Sequence, residues 1–264
     1  MTSAIPVFIG IAYAFAIAIG VAVALTGGHR SPLLWLGYAA MFVPAIAVLI
    51  VRSTMNEGLR IDWNRFPLRY VPFAVLLVPI VLHAAMLPVA TVLEGSLSWQ
   101  GYAGGHIAIH AGVGLIVVSA LAFFEEIGWR GWLLPRLVER MGPRRAIMAV
   151  ALIWGLWHLP FVLSGIYFDS TAVLKALPPA VTIPVGDIAF GLFIGWLWVR
   201  TESIWIVSLA HGAINNWGQY AFKYMREFAV ADDSIVLGAG ILAVLVLGAM
   251  LVALGTPRSS PGAK

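Results

Sequence analysis

The chain has no cysteine among its 264 residues. Disulfides, thiolate metal sites and cysteine nucleophiles are therefore excluded. Charged residues are also scarce, at 11% of the chain, against about 25% in an ordinary soluble domain. No polar stretch is long enough to form a separate soluble domain. The shortage of charge thus argues against a typical soluble globular protein.

Hydrophobic residues make up 61% of the sequence and fall into long runs. A run of about 20 apolar residues can cross a bilayer as a helix. We therefore predict an all-α, polytopic integral membrane protein with about eight transmembrane helices. One membrane domain is expected over residues 1–254, followed by a disordered tail over residues 255–264. The predicted spans run from about Ala4 to Leu25, Leu33 to Val51, Tyr70 to Leu93, His106 to Leu137, Ala146 to Gly165, Val185 to Val199, Ser203 to Phe222 and Ser234 to Leu254.

Positive charge is concentrated in alternate loops. Eleven of the sixteen Arg and Lys residues lie after the second, fourth and sixth spans or at the C-terminus, and four lie in the other loops. Cytoplasmic loops carry the excess of Lys and Arg, so both termini are predicted to face the cytoplasm. The Ala-rich, cysteine-free sequence favours a bacterial inner membrane. In this setting the net charge of +4 indicates topology and contact with the bilayer, and it does not indicate nucleic-acid binding.

The fourth predicted span carries three ionisable residues, Glu125, Glu126 and Arg130. Such groups are costly inside a bilayer and are usually functional. Glu126 and Arg130 are four residues apart and can pair on one face of a helix. Glu125 lies about 100° further round the helix and shares that partner less easily. We therefore predict a structural pair between Glu126 and Arg130, which leaves Glu125 for chemistry.

Two other spans place polar side chains at a similar depth. At about 1.5 Å rise per residue, Glu125, His158 and His211 lie roughly 12–18 Å from the cytoplasmic face. Asn215 follows His211 by four residues and therefore projects from the same helix face. We predict that these four side chains meet in one site.

The same residues also have simpler interpretations. A lone histidine on an aromatic-rich helix, such as His158, is more often a buried core residue. His211 with Asn215 can serve as a hydrogen-bonding contact between helices. Buried Glu and His residues also build proton relays, so a transporter is an alternative function.

Three polar residues near the outer boundary are predicted to have minor roles. His106 and His110 have the spacing of a metal pair, but no Glu lies between them as in a zincin helix. We expect them on a wet interfacial helix face. Asp187 is predicted only to cap the start of the sixth span, after a Pro-rich loop from about Ile166 to Pro184.

A carboxylate, two imidazoles and a carboxamide are suited to hydrolysing an amide without a covalent intermediate. Glu125 can take a proton from water and deliver it to the leaving amine, with help from His158. His211 and Asn215 can donate hydrogen bonds to the developing oxyanion. Two histidines and a carboxylate are also a known zinc set, so the residues alone allow a second mechanism in which zinc activates the water.

Three motifs, in this order, resemble those of the CAAX prenyl protease and bacteriocin-processing family, also called the CPBP or Abi family of intramembrane proteases. They are Glu125-Glu126-x-x-x-Arg130, Trp154-x-x-x-His158 and His211-x-x-x-Asn215. The family pattern usually has Phe where this chain has Trp154. Another aromatic ring at that position is expected to pack similarly.

The resemblance implies an eight-helix fold around a cytoplasm-facing cavity within the membrane. It implies an endopeptidase in which Glu125 activates water and His158 assists, with no metal or other cofactor expected. The implied substrate is a protein or peptide, with or without a lipid, cleaved near its C-terminus or close to the membrane. The alternatives are a zinc enzyme of the same fold, with Glu125, His158 and His211 as ligands, and a non-catalytic scaffold or immunity protein. By the same match, the oxyanion would be bound by His211 and Asn215, and the supporting residues would be Glu126, Arg130 and Trp154.

Overall fold

A computed structural model describes residues 4–94, 109–166, 173–227 and 233–256 of the chain. Every regular element within these ranges is helical. The α-helices are α1 (Ala4–Leu25), α2 (Leu36–Ala40), α3 (Val43–Met55), α4 (Val78–Glu94), α5 (Leu115–Gly128), α6 (Leu134–Met141), α7 (Pro143–Trp157), α8 (Leu159–Leu163), α9 (Val173–Thr201), α10 (Ile204–Glu227) and α11 (Asp233–Gly255). Short 3-10 helices occur at Gly28–Arg30 and Leu68–Tyr70, and π-helical turns at Phe73–Leu77, His110–Gly114 and Trp129–Leu133.

Seven helical segments in the described ranges are long and apolar enough to cross a membrane. The predicted all-α integral membrane fold is therefore confirmed. The remaining predicted span is present as α10, which is less apolar because His211, Asn215 and Asn216 lie within it. The seven segments are Ala4–Leu25, Leu36–Met55, Leu68–Val92, Gly112–Met141, Pro143–Leu163, Ala180–Thr201 and Val236–Gly255.

The predicted Pro-rich loop is wrong over much of its length, because α9 already begins at Val173. Helices in a membrane tolerate proline when neighbouring helices satisfy or shield the freed backbone groups. Here α7 packs closely against α9, since a Cβ atom on Gly155 would lie 2.7 Å from the carbonyl oxygen of Pro184. Pro88 likewise lies inside α4.

The domain limits stay a prediction. The last helix ends at Gly255, and residues 257–264 of the predicted tail lie outside the described residues.

The interior of the helix bundle is rich in tryptophan. Trp129, Trp132, Trp154 and Trp157 are the largest of the fully buried side chains. Phe8 of α1 packs against the first two, with ring centroids 5.4 Å and 4.9 Å apart. The indole N–H of Trp157 also donates to a backbone carbonyl of α1, at 3.0 Å. These contacts hold α1 against the helices that carry the polar cluster.

Small residues allow the site-bearing helices to approach one another closely. A Cβ atom on Gly212 of α10 would lie 2.5 Å from the Cα atom of Ser119 on α5. A Cβ atom on Gly191 of α9 would lie 2.9 Å from the Cα atom of Ala151 on α7. Real side chains do not occupy such positions without moving the backbone, so glycine sets the spacing of both helix pairs.

We expect the substitution Gly212→Ala to destabilise the protein, because the new methyl group meets backbone atoms of α5. Gly238→Ala is the matched control, since a Cβ atom there would meet nothing within 4 Å. The control is expected to keep or raise stability, as Ala is favoured over Gly in a helix by about 1 kcal/mol. Thermal unfolding in detergent measures both, and equal melting temperatures would contradict the close helix contact.

Candidate active site

Trp154 of α7 lies at the centre of the polar cluster and is 1% exposed. Its indole N–H donates a hydrogen bond of 2.9 Å to Oε2 of Glu125. The rings of His158 and His211 each meet the indole edge-on, with ring centroids 5.1 Å away. The guanidinium carbon of Arg130 lies 4.7 Å from the indole centroid. One buried side chain thus brings together groups from α5, the following π-helical turn, α7 and α10.

Glu126 receives two hydrogen bonds on one carboxylate oxygen. Arg130 donates to Oε1 of Glu126 at 2.8 Å, and Nδ1 of His211 lies 2.8 Å from the same oxygen. All three side chains are 1% exposed or less. Because a carboxylate only accepts, Nδ1 of His211 carries the hydrogen in this contact. Glu126 therefore neutralises the charge of Arg130 and, through its contact with His211, joins α5 to α10.

Glu125 is 3% exposed and does not face lipid. Among the hydrogen bonds of the described residues, its carboxylate receives that of Trp154, whereas Arg130 bonds to Glu126. His211 and Arg130 lie close enough to act on Glu125 electrostatically. Glu125 thus has a fixed position near Arg130 and His211 while remaining outside the ion pair.

His158 lies at the break between α7 and α8. Pro160 has no N–H group and stands in the first turn of α8, so α7 cannot continue regularly past this point. The backbone N–H of His158 bonds to the carbonyl of Gly155 at 3.3 Å. The carbonyl of Trp154 is then available to the ring, and Nδ1 of His158 lies 3.0 Å from it.

Asp187 was expected only to cap a helix, and that prediction is wrong. It lies well inside α9, and its side chain is 17% exposed. Its Oδ2 atom lies 3.2 Å from Nδ1 of His158. An acidic residue within an apolar run is the signal for such a site. The signal was misread because the sixth span was predicted to begin only at Val185.

The remaining candidates are Asn215, His110 and His106. Asn215 is half-buried on α10, one turn beyond His211. His110 begins a π-helical turn, and His106 lies outside the described residues. The structure therefore gathers Glu125, His158 and His211, and it places Asn215 on the same helix as His211.

The residues of the alternative zinc site are Glu125, His158 and His211. Within the described ranges, no group of three or more His, Asp or Glu side chains is arranged to hold a metal ion. His211 instead directs Nδ1 to Glu126, and His158 directs Nδ1 to the Trp154 carbonyl.

A cavity of about 570 Å³ lies between α5 and α10, and the side chains of the polar cluster are not among the residues that line it. Its walls are mainly apolar and aromatic, with two serine residues, and it is suited to an apolar ligand or chain segment. Phe123 and Phe124, which line it, directly precede Glu125 in α5. The described residues that line it are Phe66, Ser119, Ala120, Phe123, Phe124, Trp205, Ser208 and Leu209.

Comparison with known proteins places the whole cluster in one matched segment. Residues 107–217 match the sequence model of a family described as type II CAAX prenyl endopeptidase, Rce1-like. The chain is also 23% identical over 224 residues to CAAX prenyl protease 2 of Methanococcus maripaludis, which covers 82% of this chain and 79% of that protein. The family resemblance predicted from the three motifs is confirmed.

We expect Arg130→Ala to destabilise the protein by about 3–5 kcal/mol, because the buried carboxylate of Glu126 would lose its cationic partner and keep only the hydrogen bond from His211. Arg60→Ala is the matched control, since Arg60 and Glu139 form an ion pair with side chains 77% and 61% exposed. Loss of an exposed pair changes stability by at most about 1 kcal/mol. Folded yield and thermal unfolding in detergent measure the difference, and similar values for the two variants would contradict a structural Glu126–Arg130 pair.

The Trp154 hydrogen bond predicts a cost for the substitution Trp154→Phe, although Phe is the usual residue of the family pattern. The ring can still pack, but Oε2 of Glu125 loses its donor, at about 1–3 kcal/mol of stability. The same substitution in a Glu125→Leu background removes no such bond and is expected to cost less. A double-mutant cycle of unfolding measures the coupling, and additive effects would show that the indole N–H contributes nothing to holding Glu125.

Proposed function

From the resemblance to Rce1-like CAAX prenyl endopeptidases, which covers every residue of the polar cluster, we propose that this chain is an intramembrane endopeptidase with Glu125 as its catalytic base. The observation that carries the proposal is the convergence of Glu125, His158 and His211 on Trp154. Side chains from three helices contact the same buried indole. Their chemistry matches the parts needed for hydrolysis by activated water.

In the proposed first step, Glu125 removes a proton from a water molecule as the water oxygen attacks the peptide carbonyl carbon. The C=O π electrons move to the carbonyl oxygen and form a tetrahedral oxyanion. Glu125 suits this role because Trp154 fixes its carboxylate while the ion pair with Arg130 belongs to Glu126. His158 assists in holding and moving the proton.

The oxyanion is proposed to be bound by His211 and Asn215. Since Nδ1 of His211 bonds to Glu126, Nε2 must be the donor to the oxyanion, and this requires the doubly protonated ring. The carboxylate of Glu126 lies against Nδ1 of this ring and holds its orientation. The side-chain amide of Asn215 supplies a second donor from the next turn of α10.

In the second step the proton held by Glu125 passes to the leaving nitrogen, the oxyanion re-forms the C=O bond, and the C–N bond breaks with its electron pair on nitrogen. The products are a carboxylic acid and an amine, so atoms and charge balance without a metal or a covalent enzyme intermediate. This mechanism uses Glu125 first as a base and then as an acid.

The apolar cavity between α5 and α10 supports a membrane-proximal substrate. Its aromatic walls can receive an apolar side chain or an attached lipid while the peptide reaches Glu125. We propose a protein or peptide substrate cut near its C-terminus or close to the bilayer. The charge bias of the loops supports a site reached from the cytoplasm and termini on that side of a bacterial inner membrane.

The decisive experiment measures peptide cleavage by the protein reconstituted in liposomes, with membrane-anchored peptides that carry or lack an isoprenoid near the C-terminus. We expect Glu125→Gln to reduce kcat by at least about 10²–10⁴-fold, the usual contribution of a general base. Glu139→Gln, which changes an exposed carboxylate, is the control and should cleave normally. Chelation of metal ions is expected to change the rate little.

Three outcomes would count against the proposal. Cleavage by Glu125→Gln at the wild-type rate would remove Glu125 from the mechanism. Loss of activity on chelation, restored by zinc, would replace the metal-free mechanism with the zinc alternative. A folded wild-type protein that cleaves none of the peptides would favour the non-catalytic scaffold.

A further inference from the structure

We propose that Asp187 is a positioning residue of the site, holding the His158 ring so that Nε2 presents its lone pair to the reacting water. The role of His158 in cleavage rests on the proposed function. The state and orientation of its ring are properties of the structure and can be measured without any activity.

Asp187 is an acidic residue inside an apolar helix, which is an unusual position for a residue that has no function. It lies inside the segment Ala180–Thr201, which is apolar enough to span a membrane. A carboxylate at such depth is costly, and it is retained where it has a partner or a function. Its Oδ2 atom is buried, and no hydrogen-bond donor among the described residues is directed at it.

The group that lies against this oxygen is the imidazole of His158. Nδ1 of this ring lies 3.0 Å from the carbonyl oxygen of Trp154 and 3.2 Å from Oδ2 of Asp187. A backbone carbonyl only accepts, so Nδ1 carries a hydrogen. In the neutral ring the lone pair is then on Nε2, the nitrogen that can accept a proton.

Helix packing holds the two residues together. A Cβ atom on Gly155 would lie 2.6 Å from Cγ1 of Ile188, the residue after Asp187. Gly191, one turn further along α9, contacts α7 as closely. Because neither helix can rotate or withdraw without losing these contacts, Asp187 stays next to the break at His158.

The other ionisable groups near this contact come from the fourth span and α10. Glu125 lies close enough to Asp187, and His211 and Arg130 close enough to His158, to interact electrostatically. The contact of Asp187 with Nδ1 restrains the imidazole, as a carboxylate does in other carboxylate–imidazole pairs. Asp187 therefore orients the His158 ring.

The first test compares Asp187→Leu and Asp187→Asn with the wild-type protein in the reconstituted cleavage assay. Asp187→Leu is expected to lower kcat by about 10- to 100-fold, as is typical when a partner of an active-site histidine is removed. KM should change by less than about twofold, because Asp187 does not touch the substrate. Asp187→Asn keeps an acceptor oxygen without the charge and should give an intermediate kcat.

The melting temperature of Asp187→Leu distinguishes a positioning role of Asp187 from a purely structural role. Asp187→Leu removes a buried polar group whose Oδ2 atom receives no hydrogen bond from the described residues, and the His158 ring keeps its hydrogen bond to the Trp154 carbonyl. We therefore expect Asp187→Leu to melt at or above the wild-type temperature despite its lower kcat. Val185→Leu, on the same helix, is the control and should match the wild type in both measurements.

The second test reads the His158 ring directly. Nitrogen-15 NMR of histidine-labelled protein distinguishes the two neutral tautomers, and the His158 signals are those lost in His158→Gln. The wild type should show Nδ1–H, and Asp187→Leu should change the ring resonances. This measurement tests whether Asp187 positions His158, and it does not require activity. If the wild type cleaves no peptide, only the proposed function fails.

Four results would overturn the positioning role. They are a wild-type His158 with its hydrogen on Nε2, ring resonances unchanged in Asp187→Leu, a kcat within about twofold of wild type in Asp187→Leu, and a loss of activity that only follows a fall in melting temperature.

Discussion

The structure depends on keeping ionisable side chains away from lipid by pairing them across helices. Oε1 of Glu126 accepts from Arg130 in its own helical segment and from His211 on α10. A buried carboxylate without such partners would be strongly destabilising. Glu126 therefore has two roles. It neutralises the charge of Arg130, and through His211 it fixes the position of α10 relative to α5.

The polar cluster can form only because the helices approach one another closely. Gly212 lets α10 reach the backbone of α5, and Gly155 and Gly191 let α7 and α9 meet. In lipid there is little hydrophobic drive for helices to associate, so close packing and hydrogen bonds between helices must supply it. Trp154 then fills the space between the polar groups and contacts each of them. Packing and chemistry are thus satisfied by the same residues.

Sequence reasoning was most accurate where the signal is local. The first helix has the predicted bounds, Ala4–Leu25, because an apolar run of this length has few alternatives. The pairing of Glu126 with Arg130 needs only a helical spacing of four residues. Proline was a poorer guide, since α9 runs through Pro184 where a loop was predicted. Helices surrounded by protein and lipid tolerate proline that would end a helix in water.

What the sequence determined by itself was the membrane class, most helices and the order of three motifs, since each depends on neighbours along the chain. Only the tertiary structure decided which groups touch across helices. The bond from Trp154 to Glu125 and the contact of Asp187 with His158 join residues from different helices. Such contacts depend on how far each helix rotates and how closely it packs, and a single sequence states neither. The residues of the cluster could therefore be predicted from the sequence, whereas the contacts between them depend on how the helices pack.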